Sequence, residues 1–292
     1  MAASAGGPAG RGAWDFGQAP FLVIWETTQA CDLACRHCRA CAQPARHPAE
    51  LSTAEAKRLL EDVRRFGPIL FVLSGGDALK RPDLLEIVEH GAALGLRVAL
   101  TPATTPLATP ALLRDLALAG LARLAVSLDG SRPEIHDAFR RAPGSFAHGL
   151  RILREAREAG LSTQVNTVVS RYNLDDLDRI ATLVAGLGIV FWEVFFLVPV
   201  GRARPEDVAG ADAFEAVFHR LYDLSRAVPF DIKATAAPHY TRVVLQRRAA
   251  ERRAARAASA AAAPGAAGGV PDADAAGGAS GVVAGPGPAP DG

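Results

Sequence analysis

Two neighbouring stretches decide how this chain reads: Phe21-Leu-Val-Ile-Trp25 and then, six positions on, Cys31-Asp-Leu-Ala-Cys35-Arg-His-Cys38. The first is short, apolar and rich in β-formers, so it predicts a buried strand. The second sets three thiols at C-x3-C-x2-C spacing on the loop that leaves that strand. Cys41 follows closely, and no cysteine occurs beyond it. Disulfides within so short a span would close loops too small to brace a chain of 292 residues. A thiol cluster this tight points instead to a metal site. Three thiolates from one loop can ligate three irons of a cubane iron–sulfur cluster and leave the fourth iron open to another ligand. The alternative is a closed site, in which Cys31, Cys35, Cys38 and Cys41 together hold zinc or a saturated cluster. His37 or His47 could also serve zinc there.

Outward from this loop, amphipathic segments alternate with apolar runs. Ser52 and Glu55 form a capping box ahead of a helix whose apolar face carries Leu59, Leu60, Val63 and Phe66. Gly67-Pro68 stops it, and Ile69 to Leu73 predicts a second strand. Pro82 opens a helix with Leu84, Leu85, Ile87 and Val88 apolar, ending near Gly95. Further strands are expected over 97–101, 122–128, 163–169 and 190–198. Helices lie between them, starting at Thr109-Pro110, at about Phe146 and at Leu174. An amphipathic segment (Phe214, Val217, Phe218, Leu221, Leu224) and a basic helix from Pro238 follow. Near-continuous apolar strands at this interval imply a parallel sheet covered by helices. The expected fold is therefore α/β, a partial (β/α)6 TIM-like barrel short of the eight units of a closed one.

Composition sets the domain limits. Residues 1–19 read as a flexible N-terminal segment, 20–236 as the core barrel and 237–256 as a basic C-terminal helix. Residues 257–292, Ala/Gly/Pro-rich with no Leu, Ile, Lys or aromatic residue, read as a disordered tail. Thirty-two Lys and Arg balance 31 Asp and Glu, which argues against nucleic acid as a bulk partner. Arg247, Arg248, Arg252, Arg253 and Arg256 read as a solvated helix face, because no aromatic residues interleave with them. The most apolar window, Val190 to Val200, is too short for a membrane span and carries Glu193. With no basic flank leading into an apolar stretch at the N-terminus, a cytoplasmic protein without a membrane partner is expected.

The loop spacing after a first strand resembles the signature of the radical S-adenosylmethionine (SAM) superfamily. The resemblance implies a [4Fe-4S] cluster held by Cys31, Cys35 and Cys38, with Cys41 a bystander. It also implies SAM on the open iron and reductive cleavage of SAM to a 5′-deoxyadenosyl radical that abstracts a substrate hydrogen. His37 stands where a residue of that family, often aromatic, packs near the adenine. Ser74-Gly75-Gly76-Asp77 is similar to its Gly-Gly-Glu-type motif for the SAM amino group, with Asp for Glu. Ser127 and Asp129 fall where the ribose hydroxyls are bound, and Arg140 where the SAM carboxylate is paired. Asn166, with Gln164 beside it, is expected to meet the ribose or methionine moiety, and Val198 the adenine. The run from Ser127-Leu-Asp-Gly130 through His136 and Arg140 to Gly144-Ser-Phe146 most resembles enzymes with a SPASM or twitch extension. Such enzymes modify peptides or mature cofactors and tetrapyrroles, which implies a peptide or tetrapyrrole-like substrate and an electron donor such as a flavodoxin or ferredoxin. The chain departs from them in carrying no auxiliary-cluster cysteines after Cys41. That departure leads to the expectation of a frame shortened or shifted relative to its relatives, and it puts native turnover in question. The other reading is a non-catalytic barrel with a closed four-cysteine site.

Overall fold

The computed structural model describes residues 15–262; residues 1–14 and most of the segment expected as a tail, 263–292, lie outside the described residues. Seven strands form one sheet: β1 (Leu22–Glu26), β2 (Leu70–Ser74), β3 (Arg97–Leu100), β4 (Arg123–Ser127), β5 (Thr163–Val169), β6 (Phe191–Phe196) and β7 (Asp231–Thr235). Their spatial order follows the chain from β1 to β7, and every neighbouring pair is parallel. Each crossover therefore returns one strand along, and the right-handed rule for such crossovers puts the connecting helices on one face. These helices are α1 (Thr53–Arg64), α2 (Leu84–Ala93), α3 (Pro110–Leu118), α4 (Pro133–Arg140), α5 (Ser145–Glu158), α6 (Leu177–Gly186) and α7 (Ala211–Ala227). The last helix, α8 (His239–Ala262), follows β7. The sheet curls, and because β1 and β7 do not pair it stays a half-barrel.

Strand alternation shows which face is the core. Phe71 and Leu73 of β2, Val98 of β3, Val165 of β5 and Trp192 of β6 are fully buried with Leu60, Ile87, Leu116, Ile152 and Ile180 of the helices. At the intervening positions Leu70, Val72, Asn166 and Glu193 are only half-buried, on the concave face. The cap signals act as the sequence predicts. The Ser52 hydroxyl accepts from Glu55 N in a complete capping box, and the Thr109 side chain accepts from Leu112 N ahead of Pro110.

The parallel α/β partial barrel agrees with the sequence reading, with one strand more than the six units expected. Asp231-Ile-Lys-Ala-Thr235 alternates polar and apolar residues because β7 is an edge strand, and it lacks the apolar run that marks the others. Residues 133–140, assigned no element from sequence, form α4. β6 spans 191–196 where 190–198 was expected, since Val198 to Val200 closes a turn (Val200 N to Val198 O, 2.8 Å). α8 runs to Ala262, past the expected boundary at Arg256. The chain divides into two units, Met1–Gln246 and Arg247–Gly292, and the described part of the second is the stretch of α8 from Arg247 to Ala262. Among the described residues, no helix is long and apolar enough to cross a membrane.

Candidate functional site

The cysteine loop leaves β1 and is tied at its neck. Cys31 N donates to Gln43 O (2.7 Å) and Gln43 N to Gln29 O (2.8 Å), so the chain returns beside its own departure point. Glu50 secures the same neck, with Oε1 accepting from the Thr28 hydroxyl (2.8 Å) and Gln29 N (2.9 Å) and Oε2 from Arg46 Nε (2.7 Å). Burial opposes the charge on Glu50, but these donors outweigh it and hold the carboxyl down at about 2. Lys80 pairs with Asp32 across the loop.

Each of the three expected ligands has one N–H at its sulfur. Leu33 N donates to Cys31 Sγ (3.4 Å), Ala42 N to Cys38 Sγ (3.4 Å) and Arg140 Nη1 to Cys35 Sγ (3.9 Å). Such donors favour the thiolate, the form that binds metal. Cys41 differs: it is exposed, has a positive φ of 48°, and receives no such donor among the described residues. Burial pushes the Cys31 thiol up to about 11; the Leu33 N–H opposes this, and negative charge at Asp77, Cys35 and Cys38 adds to the rise. The closed four-thiol reading is not favoured, because Cys41 alone of the four is exposed and has no such N–H donor among the described residues.

The glycines after β2 have a steric reason. A Cβ on Gly75, at φ 130°, would lie 2.5 Å from Thr28 O; one on Gly76 would overlap Ala30 O and lie 2.8 Å from Gln29 O. Only bare backbone fits against the start of the cysteine loop. Gly76→Ala is therefore expected to cost about 1–3 kcal/mol and to lower iron retention, because backbone must move to admit the methyl. Urea unfolding and iron assay of the variant check this, and unchanged iron content would show that the loop tolerates the shift. Asp77 is fully buried; its Oδ1 accepts from Leu79 N (3.1 Å) and Ala103 N (3.3 Å) and its Oδ2 from the Thr105 hydroxyl (2.9 Å). Its own chain thus uses most of the acceptor capacity that the sequence reading assigned to an ammonium.

The end of β4 carries the most constrained charges. Asp129 is completely buried: Oδ2 accepts from Arg140 Nε and Nη2 (both 2.6 Å), and Oδ1 from Val168 N (2.8 Å). Asp129 N donates to His136 Nδ1 (3.0 Å), and Asp129 O accepts from Asn173 (2.9 Å). Burial works against both charges, but each partner outweighs it, so Asp129 stays well below the carboxylate range and Arg140 well above its own. The two residues read from sequence as SAM contacts are here paired with each other, with the guanidinium extended to Cys35.

His136 is fully buried, and burial holds it down at about 4; Asp129 and Asp137 pull up and Arg140 down. A histidine depressed in the folded state binds its proton more readily when unfolded. Stability is thus whole above the unfolded value near 6.5 and lost as pH falls from there towards 4. Urea titrations of the full chain across that window should show a loss of up to about 3 kcal/mol from this group, reduced in His136→Gln. An equal loss in the variant would refute the assignment.

His37 lies face to face with Phe139 (4.5 Å between centroids, 4° between planes), and its Nδ1 is buried without a partner. Ser127 and Asn166 are register partners on the concave face. Neither the Ser127 hydroxyl nor Asn166 Nδ2 has a hydrogen-bond partner among the described residues, while Asn166 Oδ1 accepts from Gln164 (2.7 Å). Val198 is exposed after β6 and is not joined to the loop by any described contact. The structure thus brings together Cys31, Cys35, Cys38, His37, Gly75, Gly76, Asp77, Asp129 and Arg140, with Ser127 two residues before Asp129 at the end of β4 and Asn166 one strand along on β5.

Sequence reasoning missed Glu50, Phe139 and the row centred on Glu193. That carboxylate accepts from Lys233 Nζ (3.0 Å) and Thr235 Oγ1 (2.6 Å) on β7 and from Gln164 (3.1 Å) on β5. A charged residue within an apolar strand was the available signal. The donor set fits an iron–sulfur cluster on the loop: three thiols with N–H donors, and an orphaned imidazole nitrogen at His37 among them.

Comparison with known proteins agrees with this geometry. The signature of the Radical SAM superfamily matches residues 25–184. An AdoMet-dependent heme synthase of Methanosarcina barkeri is 40% identical over 233 residues, 80% of this chain and 66% of that protein. The mycofactocin maturase MftC of Mycolicibacterium smegmatis is 33% identical over 198 residues, 68% of this chain and 48% of that protein. Among solved structures, Streptococcus suis SuiB bound to S-adenosylmethionine superposes with a TM-score of 0.68 at 13% identity, over 77% of this chain and 52% of that one. Native anSMEcpe with bound AdoMet gives 0.58 at 15% identity, over 73% and 63%. The chain spans 66%, 60% and 63% of three heme synthases it matches.

Proposed function

The chain belongs to the radical SAM superfamily, whose members use a [4Fe-4S] cluster and SAM, and on that premise we propose that Cys31, Cys35 and Cys38 hold the cluster in an enzyme of cofactor or tetrapyrrole maturation. The observation that carries this reading is the set of three thiols, each with its own N–H donor, beside a fourth that has none. Bound there, the cluster and SAM would supply reductive radical chemistry directed at a substrate hydrogen. The protein's part is to hold, orient and shield. The Glu50 knot and the Gly75–Gly76 contact fix the loop against the sheet. Arg140, itself fixed by Asp129, keeps a cation at Cys35. Ser127 and Asn166 offer unused polar groups on the concave face, where the SAM ribose is proposed to lie.

The tetrapyrrole class is preferred to a peptide because identity to the heme synthases is higher and extends over more of the chain than identity to the maturase. A low-potential one-electron donor such as a flavodoxin or ferredoxin, and the reducing cytoplasm, complete the proposal. Anaerobic reconstitution should give about four irons per chain, and SAM with dithionite should then release 5′-deoxyadenosine. A zinc-loaded, colourless protein would reject the reading.

A further inference from the structure

Beside the cysteine loop, on the side of the β5 and β6 exits, lies a cavity of about 610 Å³ that none of the roles above uses. Its size is that of a small-molecule pocket. Three segments meet there: Arg36 from within the cysteine loop, Arg141 from the end of α4, and Arg202 to Asp207 from the segment after β6, with Tyr172 as an aromatic wall. The backbone holds the segments in register, as Arg202 N donates to Cys38 O (3.1 Å) and Arg36 N to Phe139 O (3.0 Å). Gly201, at φ 64°, has no room for a Cβ against Cys38 O and Arg39.

The charges do not balance. Asp207 is taken by the Tyr172 hydroxyl (2.7 Å) and Arg36 (3.9 Å), and Glu206 by Arg204 (3.6 Å). Arg141 and Arg202 have no acidic partner among the described residues. Arg202 Nε and Nη2 are buried with no hydrogen bond at all, an arrangement that costs stability unless something supplies an acceptor. Arg141, at φ 50°, is the left-handed residue that caps the C-terminus of α4, with its N–H on Asp137 O, and it lies exposed at the cavity wall. One guanidinium with buried, unpartnered nitrogens and a second that is exposed and without an acidic partner among the described residues suit one partner chemistry: an oxyanion.

We propose that this cavity, on the flank of the cysteine loop and apart from its thiols, is a second ligand site that takes a small molecule through its carboxylate or phosphate groups on Arg141 and Arg202. The two sources share the oxyanion, and the experiment separates them. The full chain, cluster-loaded and saturated with SAM, is titrated by calorimetry with tricarballylate in one arm and inorganic phosphate in the other. One equivalent of at least one probe should bind, more weakly as salt is raised. Affinity should fall roughly tenfold in Arg141→Gln and in Arg202→Gln, and further in the double variant. Arg114→Gln, on the exposed face of α3, should bind as the parent does. Without a probe, Arg202→Gln should melt no lower than the parent, because it removes a guanidinium whose buried nitrogens have no partner; the probe should raise the parent's Tm and not the variant's. Tricarballylate alone binding identifies a polycarboxylate ligand, and phosphate alone a phosphorylated one. Failure of both probes, equal binding by the double variant, or competition of the probe with SAM would overturn the proposal. So would dependence of these residues on an acidic carrier protein alone, since that would make the arginines the rim of a protein-docking face.

Discussion

Cys35→Ala is expected to leave the anaerobically reconstituted protein nearly free of the cluster and to abolish release of 5′-deoxyadenosine. Cys41→Ala should retain about four irons and the parent's visible spectrum. The asymmetry comes from the surroundings of each sulfur rather than from spacing. Cys35 is buried and receives Arg140, whereas Cys41 is exposed on a left-handed residue. A cubane held by three thiolates does not survive loss of one when no other donor stands in its place. Cys41 is three residues from Cys38, with Cys41 N bonded to Cys38 O (3.4 Å), so it belongs to the turn that closes the loop. Iron and sulfide assays on both variants, with SAM cleavage as the second readout, decide the matter. Iron lost from Cys41→Ala and kept in Cys35→Ala would reverse the ligand assignment, and iron lost from both would favour the closed four-thiol site.

Most of the architecture could be read from the sequence because parallel strands buried between helices leave a strong mark. Ile69 to Leu73 and Thr163 to Val169 are almost wholly apolar or β-branched, and the helices between them keep one apolar face. β7 escaped because an edge strand with Asp231 and Lys233 carries no such mark. The cysteine loop was legible for the same kind of reason, since a chemical requirement had been written into consecutive positions. Pairings between distant segments were not. Ser127, Asp129 and Arg140 were expected at the site, yet nothing in sequence says whether a buried carboxylate meets a ligand or a guanidinium eleven positions on. Glu50, on an irregular stretch with no periodicity, could be found only by seeing that two backbone and two side-chain donors converge on it.

Asp129→Ala should be the most destabilising charge removal in the core, by about 3–5 kcal/mol, because it strands Arg140 as an uncompensated buried cation and leaves Val168 N without its acceptor. Asp129→Asn keeps an oxygen for Val168 N and should lose less. Arg140→Leu tests the other half of the pair. It leaves Asp129 charged and alone, so it too should destabilise, and it also takes the only described donor from Cys35 Sγ. A cation beside a cluster thiolate favours the more negative, reduced state, so its loss should move the reduction potential of the reconstituted cluster to lower values. The double variant Asp129→Ala/Arg140→Leu separates the two roles. Replacing both members of a buried ion pair by apolar groups restores much of the stability lost on removing one, while the potential should stay low because Cys35 still lacks its donor. Denaturant midpoints and an EPR-monitored redox titration read the two effects independently. If the potential of Arg140→Leu matches the parent's while its stability falls, Arg140 serves the fold alone; if both stay unchanged, the pairing with Asp129 is not the arrangement that holds in solution.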